Sequence, residues 1–378
     1  MKNLAIIGAS YLQLPLIRKA KDMGYTTHVF AWAANDVGEK EADYFYPISI
    51  VEKDEILNKC REIGIDGICS IASDLAIITV NYVAQHMGLT SNSLACTEKS
   101  TNKHLMRECF LKNGDPSPKS FLVTDVTDLN LNELLLPLIV KPTDRSGSRG
   151  ITKIESFDEL KAAIEAAKAE SFEKKALVEE FATGQEYSVE CVSWKGEHHF
   201  LTMTKKYTTG APHFIETGHL EPAGVKEPLL SKVKEIVFHA LDSLGIEYGA
   251  SHSELKIDES GRIRLIEIGG RMGGDFIGSD LVKQSTGIDF VKAVIDVSLG
   301  KEPDLCIGEH KKYAGVRFIF NQNDLQALEK ALREDNDKVI AYDADYENIG
   351  DLITDSSNRH GFFILSADEK DIIKKYFS

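Results

Sequence analysis

The chain has 378 residues, of which 43% are hydrophobic and 27% are charged, a composition typical of a globular protein. Its 59 acidic and 44 basic side chains give a net charge of −15, which disfavours nucleic acid as a partner because phosphate backbones are repelled. No apolar run approaches the roughly 20 residues that cross a bilayer, so no membrane partner is expected. The apolar start is too short for a secretion signal, which predicts a cytoplasmic protein.

The six cysteines lie among apolar neighbours and form no C-x-x-C pair. This spacing predicts buried thiols in a reducing compartment, and it indicates neither a disulfide framework nor a zinc site.

The first part of the chain, residues 1–98, alternates between strand and helix patterns. Leu4–Ile7 is a short apolar run typical of a buried parallel strand, and Asp54–Ile63 carries apolar residues on one helical face. Alternation of this kind predicts an α/β domain with a doubly wound parallel sheet. The turn Gly8-Ala9-Ser10 lacks the later glycines of a dinucleotide-binding fingerprint.

The pattern changes after residue 98, which predicts a central α+β unit over residues 99–308 with a smaller lobe at about 118–188. A helix is expected at Thr101–Asn113, and the Gly-, Pro- and Thr-rich segment Thr208–Pro222 is expected to be too irregular for a strand. Residues 309–378 mix strand and helix signals, which predicts a small C-terminal α+β subdomain.

The segment from His252 to Ile268 reads as a hairpin of two strands. With Ser260-Gly261 as a two-residue turn, Glu254 lies directly opposite Glu267, where like charges are destabilising. Two carboxylates so close must share a proton or a cation, and oxygen ligands suit magnesium. The alternative is a solvated hairpin in which Lys and Arg neighbours neutralise both acids, and these residues alone leave both interpretations open. Those neighbours are Lys256, Arg262 and Arg264.

A second candidate site follows the predicted strand that ends at Lys141-Pro142. The small-residue loop 143–150 exposes successive backbone N–H groups, which can form an anion site beside the Lys141 ammonium. It is not a Walker loop, because the lysine precedes the glycines and a strand follows. A merely flexible turn is the alternative.

The order of these motifs resembles the ATP-grasp superfamily of carboxylate–amine ligases, from about residue 4 to residue 305. The resemblance rests on Lys103, Val140-Lys141-Pro142 with its loop, Val178-Glu179-Glu180-Phe181, Gly184-Gln185-Glu186, and Glu254 and Glu267 with Arg271. The Glu-x-x-His of Glu216 and His219 is similar to that of L-amino-acid ligases that form dipeptides.

The resemblance implies a two-lobed ATP-grasp unit after the N-terminal sheet and assigns a role to each matching residue. The implied ATP-binding residues are Lys103, Lys141, Ser146, Gly147, Ser148, Glu179, Phe181 and Glu186. The implied metal ligands are Glu254 and Glu267, and the implied catalytic residues are Arg271, Glu216 and His219. The expected substrate contacts are Ser10, Ser73, Asp74 and His252.

The implied cofactors are ATP and one or two magnesium ions, for which manganese can substitute. Many members carry an Asn ligand two residues after the second glutamate, where this chain has Gly269. The second ion is therefore held by fewer protein groups, by water, or not at all.

The resemblance implies that a carboxylate is activated as an acyl phosphate and joined to an amine, with release of ADP. The expected partners are a small-molecule carboxylate and amine, and a second copy of the chain in a homodimer. One alternative is a ligase that acts on a purine or sugar-phosphate precursor, and another is a non-catalytic nucleotide-binding module. A nicotinamide-dependent oxidoreductase would need an acidic residue about 20 residues after the first glycines, where the chain has His28–Trp32.

Overall fold

Three sheets organise the part of the chain that this computed structural model describes, which comprises residues 2–145, 149–211, 214–308, 312–347, 349, 356 and 359–377. In those ranges no helix has both the length and the apolar composition needed to cross a bilayer.

The N-terminal sheet is parallel throughout and has the strand order β3-β2-β1-β4. Side chains of β1 alternate between its faces: Leu4 and Ile6 pack in the core that includes α1, and Ala5 and Ile7 pack with α3 and α4. The predicted doubly wound α/β sheet is confirmed. Its elements are β1 (Asn3–Ile7), α1 (Leu14–Asp22), β2 (Thr26–Phe30), α2 (Val37–Glu41), β3 (Tyr44–Tyr46), α3 (Lys53–Ile63), β4 (Gly67–Cys69) and α4 (Asp74–Met87).

Two short helices, α5 (Leu94–Thr101) and α6 (Lys103–Asn113), lead out of this domain. The predicted helix over 101–113 is wrong at its start, because Asn102 is extended and caps α6 by accepting hydrogen bonds from the N–H groups of His104 and Leu105. This break places Lys103 at the first position of α6. The backbone N–H of Lys103 donates to the carbonyl of Thr143 at 2.9 Å, which brings the two motifs together.

The second sheet has the order β5-β8-β6-β7 and packs against one helix. The buried residues Leu160, Ile164 and Ala167 of that helix share a core with Val140 and Val178 of the sheet. Its elements are β5 (Ser120–Val123), β6 (Leu138–Pro142), β7 (Thr152–Ile154), α7 (Leu160–Glu170) and β8 (Ala176–Glu180).

The third sheet has eight strands in the order β13-β12-β9-β10-β11-β14-β16-β15. The expectation of an irregular segment at 208–222 is wrong, because Glu216–Glu221 forms β11 between β10 and β14. The elements are β9 (Gln185–Trp194), β10 (Glu197–Thr208), β11 (Glu216–Glu221), α8 (Leu229–Leu244), β12 (Tyr248–Ile257), β13 (Ile263–Gly269), α9 (Val282–Thr286), α10 (Phe290–Ser298), β14 (Tyr313–Ile319), α11 (Gln322–Glu334), β15 (Val339–Ala344), β16 (Gly361–Ala367) and α12 (Lys370–Lys374).

The strands of the C-terminal region join this large sheet. β14 pairs with β11 from Gly218↔Arg317 to Glu221↔Ala314, so the sheet runs on into the last part of the chain. The domain boundaries at 98 and 308 stay predictions.

The two faces of the large sheet differ in character. Val189, Met203 and Leu255 pack in an apolar core with α8. Neighbouring positions on the same strands, including Glu190 and Lys206, turn buried polar groups toward the other face. Five of the cysteines are buried free thiols as expected, and Cys306 is exposed.

Candidate active site

The hairpin of β12 and β13 places Glu254 opposite Glu267, as the sequence predicts. The predicted two-residue turn is wrong, because Ile257 pairs with Ile263 and the loop closes between Asp258 and Arg262. A bulge between Glu254 and Leu255 shifts the register by one residue and brings the two glutamates opposite each other.

Two buried ammonium groups neutralise this pair of carboxylates. Lys103 Nζ lies 2.6 Å from Glu267 Oε1, and Lys206 Nζ lies 2.6 Å from Glu254 Oε1. Burial alone would raise the pKa of the Glu254 carboxyl, but Lys206 and His252 hold it well below its usual range. Glu254 is thus charged, and both glutamate side chains are only partly exposed. The alternative interpretation, a solvated hairpin in which Lys256, Arg262 and Arg264 neutralise the two glutamates, is wrong.

A cluster that we call the cation cluster consists of Arg107, Lys141 and Glu179. Glu179 is 1% exposed, and its carboxylate lies 2.8 Å from Arg107 Nε and 2.6 Å from Lys141 Nζ. Burial raises the pKa of this carboxyl, but the two cations outweigh it and lower the pKa to about 2. Burial also lowers the pKa of the Lys141 ammonium, which Glu179 only partly restores.

The cation cluster has the chemistry that a nucleotide phosphate needs. Its two cations face one anion, and Arg107 Nη1 is buried without a hydrogen-bond partner among the described residues. A buried donor of this kind favours an acceptor supplied by a ligand. The predicted phosphate-loop residues Ser146, Gly147 and Ser148 lie outside the described residues.

The predicted adenine and ribose contacts lie beside β8 and β9. The Phe181 ring is 5.8 Å from the Phe214 ring, and the Lys256 ammonium lies over both rings. The Glu186 carboxylate lies 3.5 Å from Lys206 Nζ, and burial raises its pKa. The Glu179 side chain points into the cation cluster instead, so only its backbone is available to an adenine edge.

Lys206, which the sequence analysis missed, is the centre of a second cluster that we call the carboxylate cluster. Its ammonium is 2.5 Å from Glu216 Oε1, 2.6 Å from Glu254 Oε1 and 3.5 Å from Glu186 Oε1. Burial would lower the pKa of Lys206, but the three carboxylates raise it well above its usual range. Polar Thr202, Thr204 and Lys206 alternate with other residues along β10, and this stripe is the signal that could have found it.

Glu216 and His219 lie on β11 beside the carboxylate cluster. His219 is fully buried, 3.6 Å from Glu216 and 4.0 Å from Asp275, with no hydrogen-bond partner on either ring nitrogen among the described residues. Arg359, from the C-terminal region, donates to both oxygens of Asp275 at 2.8 Å. Glu216, His219 and Asp275 could group around a cation, but Lys206 and Arg359 already neutralise the two carboxylates, which disfavours a metal there.

Arg271 and Asp74 join the N-terminal domain to the hairpin. Asp74 accepts two hydrogen bonds from Arg271 at 2.9 and 3.0 Å. Burial raises the pKa of Asp74, but Arg271 outweighs it, so the pKa is lowered. Ser73 caps α4 by accepting from the N–H of Ala76.

A pocket opens beside this junction, between the N-terminal domain and the loop after Arg271. Ala72, Asp275 and Phe276 line it, and all three have positive φ angles, of 60°, 52° and 67°. Backbone strain of this kind in non-glycine residues clusters at functional sites. The remaining lining residues are Tyr11, Leu12, Pro15, Ile71, Met272, Gly273, Gly274 and Ser279.

The other expected substrate contacts are engaged within the protein. The Ser10 hydroxyl lies 2.8 Å from Gln13 Oε1, which also accepts from the Ser10 N–H. His252 is buried between Glu190 and Glu254. Their roles toward a substrate stay predictions.

Comparison with known proteins identifies the domain around this site. The profile of the ATP-grasp domain matches residues 134–280. The segment that carries the site is thus similar to an ATP-grasp domain. The match includes Lys141, Glu179, Lys206, Glu254 and Glu267, so it covers the carboxylate cluster, the hairpin and all of the cation cluster except Arg107.

Relatives of the chain include alanine–anticapsin ligase of Bacillus subtilis, which is 29% identical over 301 residues, covering 70% of this chain and 63% of that protein. Human carnosine synthase 1 is 24% identical over 361 residues, covering 86% of this chain and 43% of that protein. The matched region thus spans less than two thirds of the length of these curated relatives.

Solved structures share the fold over the whole chain. The L-amino acid ligase from Bacillus licheniformis has a TM-score of 0.84 at 23% identity and covers 100% of this chain and 96% of that one. The phosphoribosylglycinamide synthetase from Anaerococcus prevotii has a TM-score of 0.78 at 22% identity, with the same coverage of 100% and 96%. At these identities the likeness concerns the fold.

Proposed function

We propose that the protein is an ATP- and magnesium-dependent ligase that joins a small carboxylate to an amine and releases ADP. The observation that supports this most is the opposed pair Glu254 and Glu267. Glu254 belongs to the carboxylate cluster, Glu267 is paired with Lys103, and Arg107 of the cation cluster donates to a backbone carbonyl of β13. A positive site for phosphates thus adjoins a negative site for a metal, and a pocket opens nearby. The sequence relatives named above, which are ligases or a synthase, support the same reaction class.

In this proposal each cluster has a distinct task. Lys141, Arg107 and Lys103 bind and orient the ATP phosphates, and Glu254 and Glu267 hold magnesium, which when bound neutralises phosphate charge. Transfer of the γ-phosphoryl group to the substrate carboxylate gives an acyl phosphate and ADP. Attack by the amine then forms the amide bond and expels phosphate.

The amine must lose a proton during this attack, and Glu216 is the group placed to accept it. Its carboxylate lies beside Lys206 and keeps partial exposure, whereas His219 is fully buried behind it. His219 therefore acts on the substrate side through Glu216. Arg271, paired with Asp74 at the pocket, is placed to stabilise a developing or substrate negative charge.

An amino acid is the substrate class that we favour over a purine or sugar-phosphate precursor. A phosphate-bearing substrate needs its own cradle, and the turn after β1 is the candidate. There the Gln13 side chain already accepts from the Ser10 N–H and lies where a side chain on Gly8 would be. The relatives alanine–anticapsin ligase and carnosine synthase 1 agree with this preference.

ADP release with purified protein tests the proposal. With magnesium and ATP, we expect release only when a carboxylate and an amine from a panel of amino acids are present, with loss of free amine. Release only with ribosylamine phosphates would support the alternative ligase. Tight ADP binding without turnover on any substrate would indicate a non-catalytic nucleotide-binding module.

The number of metal ions, the oligomeric state and the location of the protein are part of the same proposal. With Gly269 in place of a side-chain ligand, one firmly held magnesium ion is expected, with manganese as a substitute. Titration of manganese followed by electron paramagnetic resonance counts the ions. A homodimer and a cytoplasmic location stay predictions.

A further inference from the structure

Glu190 is a buried acid at the back of the site, on β9, that the proposed reaction does not use. Its side chain is 0% exposed. One oxygen forms a very short contact with His252 Nδ1, and the other accepts a hydrogen bond of 3.0 Å from the backbone N–H of Gly273. A buried carboxylate is tolerated only when such partners compensate for its lost hydration. These two partners lead to different parts of the site.

The first partner, His252, connects Glu190 to the proposed metal ligand Glu254. His252 Nε2 lies 3.3 Å from Glu254 Oε1, so its ring bridges Glu190 and Glu254. The ring is 6% exposed and can rotate little between two hydrogen-bonded carboxylates. Groups that hold a metal ligand from behind fix its orientation and tune its affinity.

The second partner leads to the segment Gly273–Phe276, which we call the pocket loop because all four residues line the pocket. The loop backbone lies directly on the buried pair: a Cβ atom on Gly273 would be 2.8 Å from His252 Nδ1 and 2.9 Å from Glu190 Oε1. The next two non-glycine residues have left-handed backbone angles, which persist only when neighbouring contacts hold them.

We propose that Glu190 is a positioning residue that couples the metal carboxylate Glu254 to the pocket loop. The inference rests on the proposed function. Because the Glu190–His252 pair is closely packed between the two parts, displacement of the loop at Gly273 must displace His252, and with it Glu254. The geometry of the substrate pocket and the orientation of the metal ligand are thus set together.

Two neighbouring glycines of the pocket loop give a matched test. Gly273→Ala pushes a methyl group onto the buried pair, whereas Gly274→Ala places one 3.2 Å from Ala72 Cβ, away from that pair. The measurement is the factor by which magnesium increases ADP affinity, obtained by isothermal titration with and without the metal. We expect Gly273→Ala to reduce this factor by about tenfold or more and Gly274→Ala to leave it within about twofold.

The outcomes separate the coupling from the proposed function. If magnesium does not increase ADP affinity in the wild-type protein, the proposed function fails. If it does, and Gly273→Ala keeps the same factor as Gly274→Ala, the coupling alone is wrong.

The reverse test changes Glu190 and measures the effect on the pocket loop. Glu190→Met removes both contacts, whereas Glu190→Gln can still accept from Gly273 and donate to a neutral His252 ring. We expect Glu190→Met to speed hydrogen exchange over residues 271–277 and to lower the factor by which magnesium increases ADP affinity. In Glu190→Gln, the exchange rates and this factor should both lie close to those of the wild type.

His198→Gln is the control for loss of a buried histidine contact. His198 lies in the same sheet, 2.7 Å from Ser193 Oγ and 3.1 Å from Asp242. If Glu190→Met lowers stability as His198→Gln does but leaves loop exchange and the magnesium effect unchanged, Glu190 is only structural. If Glu190→Met does not fold, the comparison of Gly273→Ala with Gly274→Ala still tests the coupling.

Discussion

The cation cluster and the carboxylate cluster adjoin the glutamate hairpin and differ in how their charges are balanced. In the first, Arg107 and Lys141 surround the single carboxylate of Glu179. In the second, the ammonium of Lys206 lies among three carboxylates, two of which have a further cation 3.8 Å away. The first cluster therefore has more cations than anions, which favours an anionic ligand because a buried excess charge is costly. The second is instead held together by ion pairs that share their partners.

The hairpin joins the two clusters, so its glutamate should show the largest effect. We expect Glu267→Gln to lower turnover by about 10³-fold, because it removes a proposed metal ligand and the partner of Lys103. ADP release under saturating substrates measures this. Glu259→Gln, on the exposed hairpin loop, is the control and should retain activity. Retained turnover in Glu267→Gln would exclude a magnesium role for this residue.

The carboxylate cluster should be the more fragile of the two in stability. Lys206→Met leaves three acids without their shared ammonium, and breaking a buried ion pair costs about 3–5 kcal/mol. Denaturant unfolding without metal gives the loss, and Lys206→Arg should restore part of it. Lys205→Met changes the neighbouring, less buried lysine and should cost far less. Equal losses in both variants would contradict the central position of Lys206.

The cation cluster should instead govern nucleotide binding without metal. Lys141→Met removes one of two cations while Arg107 still neutralises Glu179, so the fold should persist. Loss of a charge-assisted hydrogen bond predicts about tenfold to hundredfold weaker ADP binding in magnesium-free buffer. Lys161→Met, on the exposed face of α7, is the control. If Lys141→Met weakens ADP binding only when magnesium is present, the cation cluster does not bind the nucleotide independently of the metal.

A smaller effect is expected from Glu221, a buried acid near the carboxylate cluster that forms no ion pair with any of the residues that the structure describes. Burial raises its pKa to about 8, and Thr204 and Ser285 donate hydrogen bonds to it. The folded state therefore holds a proton that the unfolded chain releases, so this group makes stability fall as pH rises from about 5 to 8, by at most about 1.4 kcal/mol per pH unit.

Glu221→Gln should flatten that fall, because the amide does not titrate. Denaturant midpoints at pH 5.5 and 7.5 for the wild type, Glu221→Gln and the exposed control Glu197→Gln measure it. An unchanged pH dependence in Glu221→Gln would show that this carboxyl is ionised in the folded protein.

The sequence predicted what depends on local pattern. The alternation of strands and helices predicted the N-terminal sheet, and the turn assumed at Ser260-Gly261 predicted the opposition of Glu254 and Glu267. Even there, the assumed turn was wrong, and the bulge compensated for it. Neither bulge nor turn length is encoded in the alternation of polar and apolar residues.

The sequence did not predict what depends on pairing between distant strands. β11 was missed because its glycine and glutamates are unfavourable for an isolated strand, whereas β10 and β14 on either side stabilise it. Lys206 and Arg359 were missed for a related reason: their partners are separated from them by many residues along the chain.

The pairing of β11 with β14 also matters for engineering the protein. The strand that carries Glu216 and His219 is completed on one side by the C-terminal region, and that same region supplies Arg359 to Asp275. Exchange of the segment from β14 to α12 between related chains would therefore replace the neighbour of β11 and the partner of Asp275 together. The hairpin and the cation cluster, encoded upstream, would keep their own sequence.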